Sequence, residues 1–518
     1  MLKYLVQFTL LLIVLPACAE KKTEEATESV QHQVDLSSPY VQTASGEGYE
    51  IEIQFNKGLK ENTKVLLTFA MGAKDNFYSR DTAYTDSRGR AVFSNSNTEL
   101  ERGFYMVYIP DMGNFFEIIV ADEKRFKVEV NDPENFYNKM KVTGSEQNKT
   151  FVEYNNYLNE HAQSNPEKVM EYRNAFLKNN PNHLLAKVLL MMKEVEVPDA
   201  PAELSEEDKK VWQYNYYKAH YWDHFSFNEP GIIRTPGGLL HSIIERYFDK
   251  VLSQDPDTLI VYTDMLIESA FAMQNKPLAK YFIQHFSRKY ETSKVMCHDG
   301  VFGHLGVKYY CPDRYGNSVV DWLDSATKMK ICEKAYKISA TSCKRQVPDL
   351  RTADINGKYH HLFQLSSNYT IVLFWDPTCG HCKKVIPKIN DLTLRYKDTL
   401  SVYAIGTEAK YDEWEKYINQ HPEISHWVNV SKTDKNMPWI NNRALYNIQS
   451  NPVIFLLDKD KKVLAKKIDE NKLEEFLLYS MGEQGLISKE QAQSRIAHLQ
   501  KMNAASEENA DAAIPNMD

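Results

Sequence analysis

Cys379 and Cys382 stand three residues apart in the segment IVLFWDPTCGHCKKVIPKI. That spacing could carry thiol chemistry. The apolar run Ile371 to Trp375 reads as a strand, a short loop follows, and an amphipathic helix opens at the two cysteines. The first sulfur therefore falls at a helix N-terminus, where unpaired N–H groups and the helix dipole favour a thiolate over a thiol. The thiolate is the form that attacks disulfides. A C-x-x-C in a strand-then-helix setting reads as a redox pair. His381, between the cysteines, could stabilise the thiolate when protonated and so make the disulfide more oxidising. Lys383 and Lys384 add positive charge beside it. The alternative is that His381 points into solvent. Trp375 either walls the site or is a packed aromatic.

The elements that hold this pair occupy only part of the chain. At 518 residues the chain is too long for one core and suggests about three domains. Its 43% hydrophobic and 25% charged residues fit a globular protein. A net charge of −8 gives no reason to expect nucleic acid as a partner. Residues 46–145 alternate with period two: Tyr49, Ile51, Ile53 and Phe55 share one face, and turn signals such as Ser87-Arg88-Gly89 divide the runs. An antiparallel β domain of sandwich or barrel type is expected. Residues 146–345 switch to helical periodicity, with Leu239, Leu240, Ile243, Ile244, Tyr247 and Phe248 on one stripe, and predict an all-α region. From 346 to 482 the pattern is βα alternation. Residues 483–518 read as a polar tail with one surface helix and a loose end.

The N-terminus carries Lys3, an apolar stretch from Leu5 to Val14 and then Leu15-Pro16-Ala17-Cys18. This resembles the lipobox of bacterial lipoproteins, with residues 1–17 as signal peptide and Cys18 as the acylated first residue of the mature chain. Plain secretion with cleavage at Ala17-Cys18-Ala19 is the competing reading. Acyl chains would tether rather than span, and residues 18–45 form the expected flexible tether. Both routes export the chain to an oxidising compartment. There Cys297, Cys311, Cys332 and Cys343 form an even set. Pairing 297 with 311 and 332 with 343 is the local choice; buried free thiols are the alternative. Their spacing lacks the paired-ligand pattern of zinc.

The C-terminal region resembles the thioredoxin-like superfamily, in its TlpA/ResA-like exported branch. The match runs through Pro348, Leu350, Asp354, Gly357 and Leu362, then Phe374, Trp375, Cys379 and Cys382, then Pro387, and ends at Ser450-Asn451-Pro452-Val453. The Cys-Gly-His-Cys tetrapeptide is that of protein disulfide isomerase sites. The resemblance implies an α/β thioredoxin fold with Cys379 as the attacking sulfur and Cys382 as the resolving one. It also implies a cis Pro452 beside which an extended substrate peptide pairs. Supporting roles fall to His381 and Trp375, and no cofactor or metal is implied. Two family residues are absent: Leu373 stands where thioredoxins bury an Asp, and Val385 where this branch often has a Glu. Neither usual proton acceptor for the resolving thiol is therefore present, which argues against a dedicated fast reductase. Asp376 is the nearest acid in sequence. A peroxiredoxin would need P-x-x-x-T-x-x-C, and haem attachment would need His at position 383.

The expectation is thus a thiol–disulfide oxidoreductase, lipid-anchored in the envelope of a Gram-negative bacterium and facing the periplasm. Its expected partners are cysteine-containing exported proteins and an upstream electron donor or acceptor. An envelope adaptor that uses the redox domain as a scaffold is the alternative.

Overall fold

The computed structural model describes residues 48–72, 77–132, 136, 140–162, 164–314, 316–407, 411–431 and 442–512, with backbone alone over 503–512. The expected signal peptide, the tether and Cys18 lie outside these residues. No helix among the described residues is long and apolar enough to cross a membrane. The chain divides into two compact units, one of residues up to 254 with 261–282, the other of 255–260 with 283–518.

The first unit opens with two four-stranded sheets. One contains β1 (Tyr49–Phe55), β4 (Arg90–Asn95), β7 (Arg125–Val130) and β8 (Lys141–Thr143) in the order β4-β1-β7-β8. The other contains β2 (Lys64–Ala70), β3 (Phe77–Tyr84), β5 (Gly103–Ile109) and β6 (Asn114–Val120) in the order β3-β2-β5-β6. Pairing is antiparallel except between β1 and β7, because the chain builds the second sheet before returning to the free side of β1. The alternation seen in β1 is structural: Ile51 and Ile53 are fully buried while Glu52 on the other face pairs with Arg90 at 2.9 Å. Gly89 closes the β3–β4 turn with φ +74°, and a Cβ there would lie 2.4 Å from the Phe55 carbonyl oxygen.

Helices follow: α1 (Glu146–His161), α2 (Pro166–Asn179), α3 (Leu184–Met191), α4 (Glu206–His220) and α5 (Leu239–Arg246). The Ser145 hydroxyl caps α1 by accepting from the Asn148 N–H, and the Asn148 amide ties the helix to both backbone groups of Ile119 in β6. Beneath α3, Glu229 is 2% exposed and pairs with Arg102 at 2.7 Å and Lys187 at 3.0 Å. Helices α6 (Pro256–Ala272) and α7 (Lys276–Glu291) are divided between the units.

In the second unit, α8 (Asp299–Leu305) and α9 (Ser325–Ser339) precede the βα region. The cysteine pairing departs from the local choice, and these thiols are not free. Cys297 bonds Cys343 across 46 residues, and Cys311 bonds Cys332 across 21. Helix α9 folds back on α8, so proximity in space overrides proximity in sequence.

After the hairpin β9 (Arg351–Ala353) and β10 (Tyr359–His361) comes a five-stranded sheet. It contains β11 (Tyr369–Trp375), β12 (Leu400–Gly406), β13 (Val428–Ser431), β14 (Val453–Leu457) and β15 (Val463–Lys466), in the order β13-β12-β11-β14-β15. β11, β12 and β13 run parallel; β14 and β15 alternate against them. The central β11 is buried along its whole length. Tyr369, Ile371, Leu373 and Trp375 enter one core, and Val372 and Phe374 the other, as the period of two requires. The first core takes α10 (Gly380–Arg395), α11 (Tyr411–Gln420), α13 (Leu473–Glu483) and α14 (Lys489–Ala512); the short α12 (Asn442–Leu445) precedes β14. The expected surface helix is docked: Ala492 of α14 is buried, Ile496 and Leu499 pack on the core, and a Cβ on Gly482 would lie 2.9 Å from that of Ala492.

Candidate thiol–disulfide exchange site

The site forms where β11 ends and α10 begins. Asp376 shapes the loop between them: its carboxylate accepts from the Thr378 N–H at 2.7 Å and the Thr378 hydroxyl at 2.6 Å. That side chain is committed to the turn. Cys379 then serves as the N-cap of α10, its sulfur accepting from the Cys382 N–H at 3.4 Å. A sulfur in the cap position meets helix N–H groups that have no carbonyl partner. Pro387 lies inside the helix, beyond its first turn.

The two sulfurs differ in kind. Cys379 is half-buried and Cys382 is fully buried. Burial works against the Cys379 thiolate, but donation from the Cys382 thiol and from the N–H groups of Cys382 and His381 outweighs it. The Cys379 thiol is held below the usual thiol range. For Cys382 burial dominates, and the hydrogen bond to Cys379 adds to it, so its pKa is pushed up to about 12. Leu373 and Val385 lie with Cys382 in the same buried apolar cluster, where a carboxylate would otherwise take its proton. One member of the pair is thus ready to attack while the other keeps its proton.

On the opposite side of the sulfur lies the loop before β14. The Asn451–Pro452 peptide is cis, and the Cys379 thiol donates to the Asn451 main-chain oxygen at 3.8 Å. Residues 72 positions apart are thereby brought against one sulfur.

Residues 367–463 match a family model described as thioredoxin-like, and residues 145–340 match a domain of unknown function, DUF5106. A thiol-disulfide oxidoreductase ResA of Bacillus cereus is 26% identical over 132 residues, which is 25% of this chain and 72% of the relative. The M-type chloroplastic thioredoxin of Spinacia oleracea is 29% identical over 76 residues, 14% of this chain and 42% of the relative. A solved domain of a possible thiol-disulfide isomerase from Cytophaga hutchinsonii is 33% identical, covering 28% of this chain and 97% of that one, with a TM-score of 0.26. The C-terminal domain belongs to the thioredoxin-like superfamily. These matches to thiol-disulfide oxidoreductases cover about a quarter of the chain.

Within this thioredoxin-like domain the structure brings Cys379, Cys382 and the cis Asn451–Pro452 peptide together, with Trp375 in the same buried cluster as Cys382 and the His381 side chain turned outward. His381 is exposed on the first turn of α10, offering its N–H to the site. Trp375 is only 1% exposed; it walls no open surface and packs edge-on against Tyr417 at 5.0 Å. Two neighbours went unread in the sequence. Tyr417 of α11 packs on the Cys382 cluster. Thr407, directly after β12, binds both the Trp375 carbonyl and the Asn451 amide. An aromatic on an amphipathic helix and a threonine at a strand end carry no signal of such placement. Asn451 could have been found from its place before Pro452.

Proposed function

We propose that this chain is an exported, membrane-tethered thiol–disulfide oxidoreductase, lipidated at Cys18 and facing the periplasm, that exchanges disulfides with cysteine-containing exported proteins. The observation that carries the exchange chemistry is the unequal placement of the Cys379–Cys382 pair: Cys379 caps α10 and accepts from the Cys382 N–H, while Cys382 is fully buried.

The chemistry follows from that inequality. The Cys379 thiolate attacks one sulfur of a client disulfide, forming a mixed disulfide and releasing the client's other sulfur as a thiolate. Cys382 then gives up its proton, which the released client thiolate takes up, and attacks the Cys379 sulfur. The second client thiolate leaves, and Cys379–Cys382 becomes the disulfide. Two electrons have passed to the client, and an external dithiol must return them. Run backwards, the same steps oxidise a client dithiol.

The decisive experiment pairs Cys379→Ser with Cys382→Ala in the full chain. Cys379→Ser should abolish exchange, and Cys382→Ala should accumulate mixed disulfides with envelope proteins. If Cys379→Ser retains exchange activity, or if Cys382→Ala captures partners only non-covalently, the adaptor reading takes its place.

A further inference from the structure

A continuous polar path from outside the Cys-Gly-His-Cys turn reaches its first sulfur. Thr407 is 4% exposed. Its hydroxyl donates to the Trp375 main-chain oxygen at 2.9 Å, and its N–H donates to the same oxygen at 2.8 Å. A hydroxyl has one proton. With that proton on Trp375, the contact of 2.6 Å between Thr407 Oγ1 and Asn451 Nδ2 has the amide as donor. Asn451 Oδ1 is buried with no hydrogen-bond partner among the described residues. The Thr407 hydroxyl is therefore the polar hold on this side chain. The main-chain oxygen of the same Asn451 faces the Cys379 sulfur.

We infer that Thr407 is a positioning residue for exchange, its hydroxyl anchored on β11 and fixing the Asn451 main chain against the Cys379 sulfur. The inference rests on the proposed role of Cys379 and Cys382. Two consequences oppose each other. A carbonyl oxygen accepts from a thiol but repels a thiolate, so a carbonyl held at the sulfur favours the protonated nucleophile. Released, it can turn away as the thiolate forms. The fixed main chain is also what an extended client peptide would pair with in a strand-like way. Removing the hydroxyl should therefore make Cys379 easier to ionise and the client harder to seat.

Thr407→Val removes the hydroxyl at nearly constant shape, and Thr407→Ser keeps it. In the full chain, Cys379 alkylation by iodoacetamide is followed against pH, peptide by peptide, by mass spectrometry. Steady-state kinetics on a disulfide-bonded peptide runs alongside. For Thr407→Val the alkylation midpoint should fall by about half a pH unit, which is roughly threefold more thiolate well below the midpoint. KM should rise more than kcat changes, and Thr407→Ser should overlay the parent. Asn451→Ala, which deletes the other end of the bond, should reproduce the shift and covers the case in which Thr407→Val does not fold. Profiles that overlay the parent for both deletions overturn the inference, as does a serine variant that moves with the valine. Alkylation reads Cys379 directly, so a parent chain inactive on every client would defeat the proposed function without moving this result.

Discussion

The main-chain N–H of Cys382 donates to the sulfur of Cys379 at 3.4 Å, so the resolving residue helps to stabilise the thiolate that precedes its own attack. The same short turn raises one pKa and lowers the other.

Alkylation should therefore separate the pair. Cys379 is expected to react with a midpoint below the value of about 8.5 for a free thiol, and Cys382 to stay protected until the solution approaches strongly alkaline pH. Stability follows with opposite signs. Cys379, depressed in the fold, contributes stability above the ordinary thiol pKa that is lost as pH falls through its lower folded value. Cys382, raised in the fold, contributes stability below the ordinary value that is lost as pH climbs toward about 12. Equal alkylation of both cysteines at neutral pH in the folded chain would contradict the arrangement.

The reduction potential should lie on the oxidising side of thioredoxin. Hydrogen bonds that stabilise the Cys379 thiolate stabilise the reduced form, and a stabilised reduced form makes a stronger oxidant. We expect the Cys379–Cys382 couple nearer about −180 mV than about −270 mV. Equilibration of the full chain with defined thiol buffers reads this, with the two structural disulfides tracked as separate peptides. A value at the thioredoxin end would assign the chain to reduction.

Peptide mapping without reduction should recover Cys297 joined to Cys343 and Cys311 joined to Cys332. On loop-closure grounds, removing the shorter link costs about 3 kcal/mol and the longer about 4 kcal/mol. Denaturant midpoints of the paired alanine variants test the ranking.

Glu229 offers a test away from the cysteines. It is buried between Arg102 and Lys187, so Arg102→Met leaves a buried carboxylate with one partner fewer. Because Lys187 still pairs with it, the cost should stay below the roughly 3–5 kcal/mol of a buried charge left without a partner, read as a fall in the denaturant midpoint. Arg246→Met, which breaks an exposed pair with Glu194, should change stability by less than about 1 kcal/mol.

Much of this was legible in the chain itself. The unbroken apolar run marked β11 as a strand, and the cysteine pair marked the start of α10 after a short loop; the role of Asp376 in shaping that loop was not legible. The disulfides were not legible, because pairing depends on how α9 returns to α8 and no short-range pattern encodes that. The docking of α14 was hidden for a different reason. Ala492, Ile496 and Leu499 share a face at helical spacing, but they are too few to stand out against the polar residues around them. Thr407 was invisible because a hydroxyl after a strand reads as a solvated end until Trp375 and Asn451 are seen on either side of it.

The segment that carries Cys343 does more than close a disulfide. Lys344 and Val347 donate main-chain bonds to Val463 and Lys461, and Val463 donates to Arg345, so residues 343–347 run along the outer side of β15. Lys466 on that strand is 4% exposed and holds Asp299 at 2.8 Å and the Thr341 carbonyl at 3.1 Å. A fragment begun at residue 346, where the βα pattern starts, would bare the rim of the sheet and leave an ammonium group stranded without its carboxylate. Bare rims invite strand addition between copies. The boundary written in the sequence pattern and the contacts that complete this edge of the sheet, which reach back to Asp299, therefore lie some fifty residues apart.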